Sequence, residues 1–390
     1  MPRTTPQATL RRLTFIVLLQ WMGATLGLPL LPLFLEHRGG SPHLIGVIVA
    51  AAFVAGLCSQ FFLGRLADYY GRRLILISGL VLYGLAAMTY VLPLHAWWFM
   101  ISRAVQGASA GAIEVVSLSA VAALYSEHER GAAVSRVFAA QLLGIAIGPM
   151  VGVVASVRTL GWAFFATGIV SIGAALVAVT TDLGDKEFVA TPLPPLQWNN
   201  RLRGALFAAA TVGLTIGVYE TCWSMLLHAH HASELQIRLS WTLFCIPWVA
   251  LSHLGGWIAD HWNRKWAATI GLCNAATFLS IYPHCHNNNV MIFIGSFEAI
   301  GAALTSPSIS SLLTQGAVDR EFSRRQGLSA TAQTSTLAIS AITSGFLFTL
   351  DPALPFTLVS GVAFSFMLCA LWCWRRVDGY VAHPTTATSA

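Results

Sequence analysis

Long apolar runs separated by short polar connections are the dominant pattern of this chain. Each run extends over about 20 residues, the length that an α-helix needs to cross the hydrocarbon core of a bilayer. A backbone in lipid must satisfy its hydrogen bonds internally, so each run predicts a membrane-spanning helix. The pattern predicts an all-α integral membrane protein with twelve spans, near residues 13–35, 43–63, 74–93, 95–120, 137–157, 160–181, 204–227, 236–256, 266–284, 289–313, 328–349 and 354–374.

The composition agrees with a surface that faces lipid. The chain is 56% hydrophobic and 10% charged, whereas soluble domains carry about 25% charged residues. The polar start holds Arg3, Arg11 and Arg12, and the apolar run after it lacks a small-residue cleavage site. A retained first span is therefore expected rather than a signal peptide. The seven cysteines are scattered through apolar runs, which favours buried packing thiols over disulfides.

The basic residues orient the predicted helices. If both termini are cytoplasmic, the outside loops keep only Arg38, Arg158 and Arg238, and Arg103 alone lies inside a span. The remaining lysines and arginines then lie in cytoplasmic segments, as the positive-inside rule requires. The net charge of +6 therefore reflects membrane topology and does not indicate nucleic-acid binding. A bacterial cytoplasmic (inner) membrane with both termini cytoplasmic is predicted.

A repeat and a linker divide the chain into two halves. "GRLADYYGRR" at Gly64–Arg73 returns in degenerate form as "GGWIADHWNRK" at Gly255–Lys265, about half a chain later. Between them, residues 182–203 form the longest internal polar stretch, and its prolines disfavour a continuing helix. The predicted organisation is an N-terminal six-helix bundle over 1–181, a cytoplasmic linker over 182–203, a C-terminal six-helix bundle over 204–376 and a disordered tail over 377–390.

Three motifs resemble those of the major facilitator superfamily. The first is the loop with Gly64, Asp68, Gly71, Arg72 and Arg73, whose degenerate copy holds Gly256, Asp260, Arg264 and Lys265. The second is "RAVQGASAG", with Arg103, Gln106 and Gly107. The third is "GIAIGPMVG", with Gly144, Gly148, Pro149 and Gly152, which looks like the antiporter motif of the drug–proton exporter branch. Val153 stands where that motif usually has a further glycine.

The resemblance implies a fold of two pseudo-symmetric six-helix bundles and a conformational latch on the cytoplasmic side. In the family, the aspartate of the first motif pins the halves together when the outward-open state forms. Asp68, and more weakly Asp260, would do so here, with Arg324 and Arg325 at the start of span eleven as partners. The alternative for this loop is a simple anchoring segment. Gly144, Gly148 and Gly152 recur every four residues and share one helix face, which favours a hinge or a tight helix seam, or ordinary small-residue packing.

Four charged residues lie well inside predicted spans, namely Arg103, Glu114, Glu220 and Glu298. Charges at bilayer depth cost about 2.5 kcal/mol or more, so they indicate function by default. Arg103, Glu220 and Glu298 lie roughly 10–14 Å below the outer boundary on three different helices. Transporters bind substrate at such a level, between their halves. We expect Glu220 and Glu298 to carry protons, with Arg103 and Glu114 assisting; the alternative is interhelical structural hydrogen bonding.

The predicted substrate cavity contains aromatic and amide side chains besides these charges, namely Gln20, Trp21, Gln141, Tyr219, Trp223 and Phe297. Acids and aromatic rings together favour lipophilic cations through charge and cation–π contact. Any one of the aromatic residues could instead face lipid. Exporters of the family that have an acid in span one or at the head of the antiporter motif differ here, because Gln20 and Gln141 are neutral.

A histidine-rich cluster lies at the predicted outer ends of spans seven and nine, with His228, His230, His231, His284, Cys285 and His286. Imidazole and thiolate ligands suit zinc or copper, but no carboxylate frame accompanies them, and the prediction is no metal site. No cofactor is expected, because the sequence holds no nucleotide-binding loop and a proton gradient would supply the energy.

The combined prediction is a monomeric, proton-coupled exporter of small amphipathic or cationic compounds, which would act in drug efflux and multidrug resistance. The alternative is a transporter dedicated to one metabolite, such as a siderophore, sugar or lipid, by export or by proton symport. An enzyme is not expected, since the intramembrane acids have no nucleophile motif or phosphate loop nearby.

Overall fold

The computed structural model describes residues 5–125, 127–181, 183, 196–314 and 319–377, and all regular structure among them is helical. The first seven α-helices are α1 (Pro6–Leu26), α2 (Leu31–His37), α3 (Pro42–Tyr70), α4 (Arg72–Met88), α5 (Phe99–Leu124), α6 (Glu127–Gly152) and α7 (Leu160–Val179). The next seven are α8 (Asn200–Val218), α9 (Ser224–Ala229), α10 (Glu234–His261), α11 (Arg264–Ile281), α12 (Asn288–Thr314), α13 (Asp319–Leu350) and α14 (Leu354–Trp374).

Ten helical segments of the described chain are long and apolar enough to cross a membrane. They match ten of the twelve predicted spans. The other two predicted spans, 266–284 and 328–349, lie on α11 and α13. Both are helical but more polar, since α11 begins with Arg264 and Lys265 and α13 contains "SATAQTST" at 329–336. The all-helical membrane fold is therefore confirmed, while the full count of twelve spans stays a prediction.

Short polar caps fix where several helices begin. Ser41, Asn199 and Asn263 each accept a hydrogen bond from a backbone N–H of the first helical turn, and Ser233 forms a complete capping box with Gln236. The Asn199 cap lets α8 begin at Asn200, inside the predicted linker over 182–203. The sharp turn between α3 and α4 depends on Gly71, whose φ of 89° is rarely adopted by residues with a side chain.

The bundle has two distinguishable ends. At the terminal end, where α1 begins and α14 ends, Arg12 donates to the carbonyl of Thr180 and the Trp374 indole donates to that of Arg201. The opposite end is called the far end below. It contains the connections from α1 to α3, from α6 to α7, from α9 to α10 and from α13 to α14. Ser224 and Pro29 meet there.

The helices share one apolar core at the far end and have two separate cores at the terminal end. The far-end core mixes residues of α1–α7, such as Leu31 and Phe164, with residues of α8–α14, such as Trp223 and Phe356. One terminal-end core draws its residues only from the part before residue 184 and the other only from the part after 195. The N-terminal helices α1–α7 and C-terminal helices α8–α14 are thus joined by apolar packing mainly at the far end. The predicted domain boundaries themselves stay a prediction, because 182 and 184–195 lie outside the described residues.

Candidate functional site

The middle of the predicted seventh span is not a regular α-helix. α8 ends at Val218, and residues Tyr219–Trp223 form a π-helical turn before α9 begins. Such turns are rare and occur frequently at functional sites, because the wider turn changes the direction of its side chains. This one contains Glu220, which is partly buried, and the neighbouring Tyr219 contacts a second acid.

That second acid is Glu298, which is 4% exposed. The hydroxyl of Tyr219 donates to its Oε1 at 2.8 Å, and the hydroxyl of Tyr282 donates to its Oε2 at 2.7 Å. Tyr282 lies in a 3₁₀ turn directly after α11, so three separate elements meet at one carboxyl group. Both carboxyl oxygens are satisfied, as burial requires.

An aromatic cluster holds the two tyrosines in place. The ring of Trp223 packs edge-on against Tyr282, with centroids 4.8 Å apart, and against Tyr219 at 6.0 Å. The Trp223 indole N–H donates to Ser240 Oγ at 2.8 Å, which ties the cluster to α10. The predicted aromatic residues Tyr219 and Trp223 therefore lie beside Glu298, where they form a packed wall.

Arg103 carries a positive charge from the N-terminal helices towards the C-terminal helices. It lies on α5, is 6% exposed and donates to Gln106 Oε1 at 3.4 Å. Its guanidinium lies within electrostatic range of the carboxyl group of Glu220. Arg103, Tyr219, Glu220, Tyr282 and Glu298 are called the acid site below. Of the four charges that the sequence placed in spans, Arg103 and Glu220 thus lie within electrostatic range of each other, and Glu298 is bonded to Tyr219, the residue before Glu220.

Glu114, the fourth charge, has a different partner. It accepts a hydrogen bond from Gln60 Nε2 on α3 at 3.2 Å. Between Arg103 and Glu114, α5 lies tightly against α3, since a Cβ on Gly111 would come within 2.8 Å of the Gly56 carbonyl oxygen. Glu114 therefore forms part of the α3–α5 contact. Among the described residues, no hydrogen bond connects it to the acid site.

Two predicted cavity residues lie away from the acid site. Phe297 is 48% exposed and packs against Phe293, itself 64% exposed, on the outer surface of the bundle. Consecutive helical residues point about 100° apart, so the inward direction of Glu298 turns Phe297 outward. Gln20 is buried within the N-terminal helices, where its Oε1 accepts a hydrogen bond from Ser171 on α7 at 3.2 Å. The expectation that Phe297 lines the cavity is corrected accordingly, while that for Gln20 stays a prediction.

The glycines of the third motif form a seam with α1. A Cβ on Gly144 would lie 2.7 Å from the Leu18 carbonyl oxygen, and one on Gly148 would lie 2.6 Å from that of Met22. Gly152 approaches the Leu26 carbonyl in the same way. The seam passes Trp21, which is partly buried against Gly144, while Gln141 is partly exposed one turn earlier. The shared face is as predicted, with backbone-to-backbone packing along it.

The latch residues lie at the terminal end. Arg72 and Arg325 are 6% and 1% exposed, and Arg325 donates to the Leu313 carbonyl at 3.3 Å. Arg324 is exposed, and Arg73 and Arg264 are partly exposed. Gly64 lies within α3, while the side chains of Asp68 and Asp260 lie outside the described part of the chain. The predicted latch pairing stays a prediction.

The histidine-rich segments remain at the far end. His228, His284 and His286 are exposed, and the backbone carbonyl of His230 accepts a hydrogen bond from Asn288. Within the described residues, no three histidine, cysteine or acidic side chains are grouped so that they could hold a metal ion.

An all-helical membrane bundle with a charged site between its two sets of helices defines a transporter-like protein. The family model of the Major Facilitator Superfamily matches residues 13–227 and 205–389, and the chain belongs to this superfamily. The family and fold are those of transporters, not of enzymes. The resemblance carried by the three motifs is confirmed.

Its curated relatives include drug-resistance proteins. Over 170 residues the chain is 31% identical to multidrug resistance protein 2 of Bacillus subtilis (strain 168), a stretch that covers 42% of each chain. Over 221 residues it is 23% identical to the quinolone resistance protein NorA of Staphylococcus aureus (strain MSSA476), covering 55% of this chain and 57% of NorA. The matches thus span about half the length of these relatives.

The fold is also that of solved transporters. A bacterial homolog of the human lysosomal transporter Spinster, in an inward-facing and occupied conformation, superposes with a TM-score of 0.77 at 11% identity. The superposition covers 97% of this chain and all of that chain.

Proposed function

We propose that this protein is a secondary active exporter that exchanges protons for small amphipathic compounds, including cationic ones. The observation that carries the proposal is the acid site, where Glu298 is buried and Glu220 partly buried on the C-terminal helices and Arg103 approaches from the N-terminal helices. Acids in apolar surroundings can take up and release protons when the surroundings change. The drug-resistance relatives support export as the direction.

The core arrangement supports alternating access as the mechanism. The two sets of helices share a core at the far end and have separate cores at the terminal end. With both termini in the cytoplasm of a bacterial cell, as the basic residues predict, this is an inward-facing arrangement. Rocking of 1–181 against 204–376 would expose the acid site to the outside. In this scheme the α1–α6 glycine seam keeps the N-terminal bundle sealed, and the Asp68 loop latches the terminal end.

The test is proton flux in proteoliposomes that contain the monomeric, purified protein. An imposed proton gradient should drive uptake of a lipophilic cation into inverted vesicles, and added substrate should stimulate proton movement. Glu220→Gln should abolish gradient-driven transport. The matched control is Glu36→Gln, because Glu36 is exposed at the end of α2 and should leave transport unchanged.

The alternative of one dedicated metabolite has its own outcome in this system. Counterflow against a panel of unrelated compounds should give exchange with several of them. Exchange with a single sugar, siderophore or lipid would replace the broad-substrate proposal, and undiminished coupled transport by Glu220→Gln would remove Glu220 from the mechanism.

A further inference from the structure

The two tyrosines at Glu298 occupy both oxygens of one carboxyl group. Tyr219 donates to Oε1 and Tyr282 to Oε2, at 2.8 and 2.7 Å. We propose that Tyr219 and Tyr282 are positioning residues that hold Glu298 as a carboxylate while the far end is closed. This inference rests on the proposed function for its role in transport, but the hydrogen-bond chemistry can be measured without transport.

The argument begins with hydrogen-bond capacity. An ionised carboxyl group only accepts hydrogen bonds, whereas a protonated one carries an O–H donor on one oxygen. Two phenolic donors, one on each oxygen, match the ionised form and favour it. When a proton arrives, the tyrosine facing the protonated oxygen loses its best acceptor. Its hydroxyl hydrogen then turns away, and its oxygen can accept from the new carboxyl O–H, so a charge-assisted bond is replaced by a weaker bond between neutral groups.

The rings leave little room for a local adjustment. Tyr282 is 1% exposed and packs against Trp223 and Phe278. Tyr219 packs against Trp223 and Tyr282. The bond to Ser240 fixes Trp223, the ring against which both tyrosines pack, and this packing holds the two hydroxyls in place at Glu298.

Both backbone elements lead to the far end. Tyr219 opens the π-helical turn that ends one residue before Ser224, and Ser224 bonds to Pro29 of the N-terminal helices. Tyr282 opens the 3₁₀ turn that leads from α11 into the connection to α12. Both rings pack in or against the core that joins the two sets of helices. The two donors therefore lie in the packing that joins the two sets of helices while the far end is closed.

The other titratable groups near this level belong to the same packed elements. Glu220 follows Tyr219 in the π-helical turn, and Cys245 on α10 is within electrostatic range of Glu220. Cys285 lies near Tyr282, Cys222 is buried in the same turn, and Cys273 lies on α11. Among the described residues, only Tyr219 and Tyr282 hydrogen-bond to Glu298, so the two hydroxyls are the groups to remove.

The test is infrared titration of the purified full chain in lipid, which follows the carbonyl band of a protonated carboxyl group against pH. Subtraction of the Glu298→Gln spectrum assigns the band. Loss of one donor should disfavour the carboxylate, so Tyr282→Phe and Tyr219→Phe should each move the half-titration of this band upward, by roughly one to two pH units. The two variants provide independent tests if one of them folds poorly.

Tyr90→Phe is the matched control. Tyr90 is 0% exposed in the same far-end core, and its hydroxyl has no hydrogen-bond partner among the described residues. The change should leave the band where it is. An unshifted band in both Tyr219→Phe and Tyr282→Phe, or a shift as large in Tyr90→Phe, would overturn the proposal.

Transport distinguishes this failure from failure of the proposed function. If the bands shift but no proton-driven transport occurs in any compound panel, the positioning role stands and the exporter proposal falls. If the unmodified protein exchanges protons for cargo while the bands do not shift, the reverse holds. If both are right, the pH profile of transport should move upward in the two phenylalanine variants and stay in place in Tyr90→Phe.

Discussion

The hydroxyl of Ser224 donates a 2.6 Å hydrogen bond to the backbone carbonyl of Pro29. Ser224 is 1% exposed and directly follows the π-helical turn of the C-terminal helices, whereas Pro29 lies in the short turn between α1 and α2. A second bond of this kind joins the Val157 backbone N–H to the Glu234 carboxylate at 3.0 Å. The closed far end thus depends on polar contacts that must break if the two sets of helices separate there.

Replacement of Ser224 by alanine should shift the conformational equilibrium towards opening at the far end. An intramolecular hydrogen bond contributes about 1 kcal/mol net, so the open fraction should rise about fivefold. Distances between nitroxide labels at Glu36 and His286, both exposed at the far end, would report it in a background without native cysteines. Ser365→Ala is the control, because Ser365 is exposed and bonds only within α14. An unchanged distance distribution in Ser224→Ala would show that the bond does not hold the far end closed.

Replacement of Gly148 by alanine should damage the seam between α1 and α6. The added Cβ would meet the Met22 carbonyl oxygen at 2.6 Å and come still closer to the Thr25 hydroxyl. Overpacking of this kind costs about 1–3 kcal/mol, so the unfolding midpoint in detergent should fall by several degrees and gradient-driven transport should slow. Gly173→Ala on α7 is the control. It makes the same glycine-to-alanine change in a helix without a clash, since nothing lies within 4 Å of the added Cβ. If both variants have the same unfolding midpoint as the unmodified protein, the seam tolerates a wider spacing between α1 and α6.

Much of the fold could be predicted because lipid imposes a strict rule on apolar runs. The spans follow from length and hydropathy alone, and the candidate acids follow from the cost of charge at depth. α11 and α13 are less apolar than the other long helices. For these two segments the sequence predicts a helix, but the evidence that the helix crosses the membrane is weaker. The outward direction of Phe297 could have been predicted from helical periodicity, because adjacent residues such as Phe297 and Glu298 cannot point the same way.

The rest required the tertiary structure. The π-helical turn occurs in "YETCW", which contains neither proline nor glycine to announce a break. Tyr282 was missed because it lies at the end of a predicted span, where tyrosine is common for interfacial reasons. Only the packing of α11 against α12 brings its hydroxyl to Glu298. The signal available in the sequence was a tyrosine sixteen residues before a buried acid, too far apart to imply contact.

The relationship between Arg103 and Glu220 predicts non-additive mutations. Arg103 and Glu220 are opposite charges within electrostatic range of each other, so removal of one leaves the other without its compensating charge. Arg103→Gln and Glu220→Gln should each lower the unfolding midpoint, and the double variant should recover part of the loss. Contacting residues usually show a coupling free energy of about 0.5–3 kcal/mol, whereas distant residues add within about 0.5 kcal/mol.

Arg103 and Glu114 provide the matched comparison. They share α5, but Glu114 bonds to Gln60 and lies three helical turns away, at roughly 16 Å along the axis. The Arg103→Gln and Glu114→Gln pair should therefore add. Additivity of the Arg103 and Glu220 pair would mean that the two charges do not sense each other across the two sets of helices, and the acid site would then consist of Glu298 and its tyrosines alone.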